Sequence, residues 1–213
     1  MQTQLTARKC GCCGKVFATA LPQPSTESGD WFDLDQRPPE PLRSELYRQI
    51  FRCPDCGFSF GPRDRTVPRS FVDSPEYRSC EGNFLPDGFG ADYYRFGMTA
   101  LRDGDMNTAF ASFLRAAWVF DDACDSANAV KCRLRCVKLS EEYPAESAMD
   151  AVVRADIFRR AGCFGRLPTE LTDQHYPDEL TRLVMQFEKK KAAAGDTAPY
   201  TLEQCFAEVG LKR

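Results

Sequence analysis

Two cysteine pairs carry the clearest chemistry in this chain. Cys10-Gly11-Cys12-Cys13-Gly14 and Cys53-Pro54-Asp55-Cys56-Gly57 each hold two thiols separated by two residues, with glycine directly after. Such a turn aims two thiolates at one point, and two turns supply the four sulfurs of a tetrahedral zinc site. The trailing glycine suits a backbone that swings N–H groups toward sulfur through a left-handed conformation. That requirement sorts the crowded first knuckle: Cys13 precedes Gly14 as Cys56 precedes Gly57. The expected ligands are therefore Cys10, Cys13, Cys53 and Cys56, with Cys12 as the extra thiol. Four thiolates leave no open position for a substrate, so one structural zinc ion is expected. An iron–sulfur or rubredoxin-type iron centre uses similar ligands and stays open on spacing alone.

The remaining reactive residues do not converge on a reaction. The one histidine, His175, stands in a polar stretch beside Tyr176-Pro177, and no serine or cysteine motif points to it. There is no phosphate-cradling glycine loop and no H-E-x-x-H. Cys132 and Cys136 are four apart on an expected helix but lack two further ligands. With Cys124, Cys163 and Cys205 they read as small apolar core residues. No enzyme is expected.

Composition narrows the setting. A chain of 213 residues with 43% hydrophobic content can bury a core in one or two domains. Eleven cysteines, an odd count, and a start without an apolar core argue against a secreted disulfide framework. No stretch approaches the roughly 20 apolar residues of a membrane helix. A cytoplasmic protein is the expectation. The net charge of −3 and isoelectric point near 5.4 disfavour a protein built to grip phosphate backbones. Arg8, Lys9, Lys15 and Arg52 surround the knuckles, where they would offset the charge of a four-thiolate zinc.

The elements that must position the cysteines are short. Residues 18–45 read as a long loop or loose hairpin, in which Trp31 and Phe32 would pack on the metal module and Asp33 and Asp35 would be solvated. Strands are expected from Arg48 to Phe51 and from Phe58 to Phe60. Residues 61–90 are rich in proline and glycine, hence mostly irregular. One short helix would begin there, capped by Ser74 with Pro75 in its first position.

Beyond Gly90 the pattern turns helical. Tyr93, Phe96, Gly97, Ala100 and Leu101 share one face; Ala109, Phe113, Ala116, Ala117 and Phe120 share the next, after a break at Arg102–Asp105. These positions resemble the tetratricopeptide helix–turn–helix. Further helices are expected over 127–142, with Ala127, Val130, Leu134, Val137 and Leu139 available for burial, and over 148–161 and 178–192. A last helix would start at a Thr201/Gln204 capping box.

The paired C-x-x-C-G module, Asp35-Gln36-Arg37-Pro38, Ala116-Ala117-Trp118 with Asp121-Asp122, and the later Arg159-Arg160-Ala161-Gly162 together resemble an uncharacterised, largely bacterial family. Its members join a zinc-ribbon-like segment to tetratricopeptide-like helices, and the resemblance implies fold rather than reaction. The resulting expectation is a mainly α, α+β protein in three parts. These are a zinc-ribbon-like module at 1–62, an irregular connector at 63–90 and a tetratricopeptide-like helical domain at 91–213. The expected function is a zinc-stabilised adaptor whose helical surface binds a protein or peptide partner. The alternatives are a nucleic-acid-associated zinc ribbon and a cysteine-based redox or metal sensor with Cys12 as resolving thiol.

Overall fold

The computed structural model describes residues 4–21, 31–47, 49–62, 65–143, 145–167 and 178–210. His175 and the expected strand start at Arg48 lie outside them. Within them the chain is mainly helical, with two small antiparallel two-stranded sheets. No described helix is long and apolar enough to cross a membrane. The chain divides into two compact units, residues 1–28 with 41–132, and residues 29–40 with 133–213. These units cut across the three-part division read from the sequence, and the reason lies in how the knuckle strands are fastened.

In the first unit, β1 (Gln4–Lys9) pairs with β2 (Val16–Leu21), with Lys9 opposite Val16 and Arg8 opposite Phe17. This hairpin around the first knuckle replaces the loop expected from residue 18; its weak apolar alternation hid it. β3 (Phe51–Arg52) pairs with β4 (Ser59–Phe60) around the second knuckle. Three short helices follow or intervene: α1 (Leu42–Leu46), α2 (Arg69–Val72) and α3 (Pro75–Arg78). Ser74 caps α3 by accepting from the Tyr77 N–H, with Pro75 leading the helix, as its sequence predicts.

Helices α4 (Phe89–Arg102) and α5 (Met106–Asp122) form an antiparallel hairpin. The turn uses Gly104 at φ +76°, and Asp105 caps α5 by accepting from Thr108 N–H at 3.1 Å. Close approach needs small residues. A Cβ on Gly97 would stand 2.8 Å from the Phe113 ring, and one on Gly90 would stand 2.6 Å from Phe120. Strand β4 is bound into the same core. Ser59 Oγ donates to Asp92 of α4 at 2.8 Å, the Ser59 N–H donates to Tyr77 Oη at 2.9 Å, and Gly61 lies against the Phe96 ring. The knuckles and the first helical hairpin therefore fold as one body.

Helix α6 (Ser126–Glu142) begins in the first unit and continues in the second. Its buried face is offset from the one expected. Ala129, Cys132, Arg133, Cys136, Val137, Leu139 and Ser140 are buried, whereas Leu134 is 43% exposed and Ala127 is exposed. Arg133 is drawn inside by a carboxylate, and two cysteines do the work of apolar side chains. Cys205 is also buried, but Cys124 is exposed at φ +56° and Cys163 is half-buried, against the expectation of core residues.

The second unit adds α7 (Ala148–Arg160), a short 3-10 turn at Phe164–Arg166, α8 (Glu179–Ala193) and α9 (Leu202–Val209). Ser147 and Asp178 cap α7 and α8, and the Thr201/Gln204 capping box opens α9. Residues 31–40 belong to this unit. Trp31, expected on the metal module, belongs to this second unit and packs edge-on against Phe206 at 5.7 Å, and Leu34 N–H donates to Tyr200 O at 2.9 Å. Asp35, expected in solvent, is fully buried against Arg133 and Arg160.

Candidate metal centre

The two knuckles are built alike. In the first, Cys10 N–H donates to Lys15 O at 2.8 Å and Gly14 N–H to Cys10 O at 3.0 Å. In the second, Cys53 N–H donates to Phe58 O at 2.9 Å and Gly57 N–H to Cys53 O at 3.0 Å. Gly14 and Gly57 stand at φ +75° and +76°, a backbone that side chains beyond glycine resist. Matching turns place matching thiols, which is the geometric content of the repeated C-x-x-C-G.

The four thiols meet. The sulfurs of Cys10, Cys13, Cys53 and Cys56 all lie within 4.8 Å of one another, and the Cys10–Cys56 and Cys13–Cys53 pairs are 3.6 Å apart. Bonds of about 2.3 Å to a tetrahedral centre would set thiolate sulfurs roughly 3.8 Å apart, so the four fit one metal ion. A disulfide would need sulfurs at about 2.05 Å; all eleven cysteines are free thiols. Cys12 is in the same loop and donates its N–H to Cys10 Sγ at 3.4 Å, but its sulfur is not one of the four that meet.

Electrostatics fit a metal-binding set. Burial pushes the Cys10 and Cys56 thiols above their ordinary range, whereas the Lys15 backbone N–H lowers that of exposed Cys13. A divalent cation at their centre supplies the charge that holds such sulfurs as thiolates, so binding releases protons. Beneath them lies a small aromatic core in which Phe60 stacks on Phe58 at 5.5 Å and meets Phe51 and Phe17 at 5.9 and 6.0 Å.

Sequence reasoning missed one residue of the first knuckle. Gly11 lies under the chain that follows β4: its carbonyl accepts from Val67 N–H at 3.3 Å, and a Cβ there would collide with the Arg65 carbonyl oxygen. A second glycine in a knuckle already supplied with its turn glycine was the available signal.

Three of the neighbouring basic residues, Arg8, Lys15 and Arg52, have partners within the protein. Arg8 donates to Pro62 O at 3.0 Å and lies over the Phe51 ring. Lys15 approaches Asp55 at 3.6 Å, and Arg52 pairs with Asp87 at 3.1 Å. Comparisons with protein-family models, curated proteins and solved structures returned no match.

Proposed function

We propose that this chain is a non-enzymatic adaptor, stapled by one zinc ion, that binds a protein partner through the surface of its helical part. Zinc suits four thiolates with no position left for a reactant, and its role here is to tie the two knuckle turns together within the first unit. Within that reading the Asp-Gln-Arg-Pro and Arg-Arg motifs are structural, and the likeness to tetratricopeptide hairpins extends beyond α4 and α5.

The observation that supports a protein-binding surface is Phe84, which lies in the turn leading into α4 rather than on a helix. This side chain is 80% exposed, and its backbone stands at φ +49°. The turn beneath it is braced: Asn83 Nδ2 donates to Cys80 O and Tyr94 Oη, both at 2.9 Å. Tyr94 Oη donates to Glu81 at 2.7 Å, and Lys131 of α6 reaches Asn83 O at 3.1 Å. Strained backbone persists where a surrounding scaffold over-determines it, and such places are drawn to binding sites. A rigid, exposed aromatic ring is the type of residue that anchors protein interfaces. The partners already held by Arg8, Lys15 and Arg52 weigh against a phosphate-gripping surface.

Elemental analysis of the purified chain tests the zinc: about one ion per chain is expected, lost in Cys53→Ser and kept in Cys12→Ser. Co-purification from native lysate tests the adaptor. A protein retained by the wild type should be lost in Phe84→Asn with zinc intact. Micromolar binding to DNA or RNA, abolished by Arg8 and Lys9 to Ala, would overturn the reading in favour of nucleic acid.

A further inference from the structure

Residues 31–40 lie in sequence between the two halves of the metal centre, yet they are part of the other compact unit. The chain leaves the first knuckle at Gly14, enters the second unit at residue 29, leaves it at residue 40 and reaches the second knuckle at Cys53. Inside that unit the segment is fully integrated. Asp33 bridges Thr201, Leu34 N–H donates to Tyr200 O at 2.9 Å, and Leu202 N–H donates to Phe32 O at 3.0 Å. A tight turn with Gln36 at φ +66° aims Asp35 inward, where its carboxylate meets Arg160 at 3.1 Å and Arg133 at 3.4 Å. The segment is a strap whose two ends are the two knuckles.

We propose that metal occupancy at Cys10, Cys13, Cys53 and Cys56 is thermodynamically linked to docking of this strap, so that loss of the metal loosens the C-terminal helices. The inference rests on the metal reading above. A metal joining Cys13 to Cys53 spans 40 positions and closes a loop that contains the strap. A closed loop has fewer conformations to give up when the strap docks than an open one. Linkage is reciprocal: a docked strap limits the separation of the knuckles and raises metal affinity by the same factor. The coupling runs through chain connectivity and requires no contact between the units. It makes the thiol centre a control point for a part of the protein to which it contributes no residue.

Hydrogen exchange read by mass spectrometry on the full chain, zinc-loaded and chelator-stripped, tests this while thiol titration reports the four cysteines. Peptides containing the Leu34 and Leu202 amides should exchange about tenfold faster once zinc is removed, an ordinary size for such coupling. Unchanged exchange with the four thiols freed overturns the inference but leaves the metal centre standing; failure to bind zinc at all takes both down. A protease site placed between Ser25 and Thr26 and cut after folding opens the loop for good, and the zinc-dependent difference should then vanish. Its survival in the cut chain would overturn coupling by connectivity. Reciprocally, Asp35→Asn in the full chain should lower zinc affinity, measured by chelator competition. If that variant unfolds the second unit, the strap is still released and affinity must still fall. Undiminished affinity would overturn the inference.

Discussion

Asp35 and Arg160, separated by 125 positions in the chain, meet at 3.1 Å with the carboxylate wholly buried. The same oxygen, Oδ2, is reached by Arg133 at 3.4 Å. Arg159, the residue before Arg160, turns instead to Glu188 at 2.6 Å and Asp156 at 2.5 Å, and donates to the carbonyls of Asp196 and Ala198. Three carboxylates and three guanidinium groups from the strap, α6, α7 and α8 thus share one interior. Taking each ion out of water costs several kcal/mol, which only its partners can offset. Such a network rewards one arrangement of its four segments and penalises every other.

Removing one member of that network exposes the penalty. Asp35→Ala strips Arg133 and Arg160 of their shared carboxylate in a dry site, and the expected loss is about 3–5 kcal/mol. Urea unfolding followed by the helical signal measures it. A loss under about 1 kcal/mol would mean that the two guanidinium groups do not depend on Asp35.

The two glycines of the first knuckle should behave differently. Gly14→Ala meets nothing closer than Lys9 Cε at 4.0 Å and suffers only from its φ of +75°, a cost of about 1–2 kcal/mol. Gly11→Ala instead drives a methyl group into the backbone at Arg65, which cannot retreat as a side chain could. Zinc affinity by chelator competition should fall much further for Gly11→Ala, and equal losses would contradict the packing of residues 65–67 on the knuckle.

What could be read from the sequence follows from how local the determinants are. Ser74 before Pro75 and Thr201 with Gln204 act on N–H groups three residues away, and both were legible. The cysteine pairs were legible because a knuckle is one turn long and appears twice. The strap was not. Asp33 has a local partner in Arg37, four residues on at 3.6 Å, but Asp35 read as solvated because the guanidinium groups that bury it, Arg133 and Arg160, come from 98 and 125 positions away. The same distance explains the misread face of α6, where an arginine is inside and Leu134 outside. The Arg65 backbone over Gly11, 54 positions on, left no local trace beyond the glycine itself.

Phe84→Asn should stabilise the protein. The ring is 80% exposed, so little burial is lost, and asparagine accepts a φ of +49° that phenylalanine resists. A gain of about 0.5–1 kcal/mol in urea unfolding is expected and, on the adaptor reading proposed above, loss of partner binding with it. A destabilised variant would show that Phe84 is held for packing, and would remove the support it lends to an interface.

The buried acids of the second unit set an unusual pH dependence. Burial, reinforced by the nearby Asp156 charge, pushes Glu188 up to about 8, and burial with the Asp35 charge pushes Asp156 up to about 6. Arg159 touches both, and Arg133 and Arg160 face Asp156 from α6 and α7, yet their charges do not cancel the cost of ionising in a dry interior. In the unfolded chain both acids titrate near 4, so between about pH 4 and 8 the folded unit binds more protons than the unfolded one. Stability from these groups is complete below about pH 4 and is lost as pH rises through about 6 and then 8. Melts with the metal site kept loaded should therefore show stability falling from pH 6 to pH 8.5. The loading matters because acid protonates metal-binding thiolates and acts in the opposite sense on the first unit. Glu188→Gln, which keeps an oxygen for Arg159 without a charge to bury, should flatten the upper part of the profile and surpass the wild type at pH 8.5. A wild-type profile that rises over this range, or a variant that parallels it, would show that Glu188 is already ionised in the folded protein.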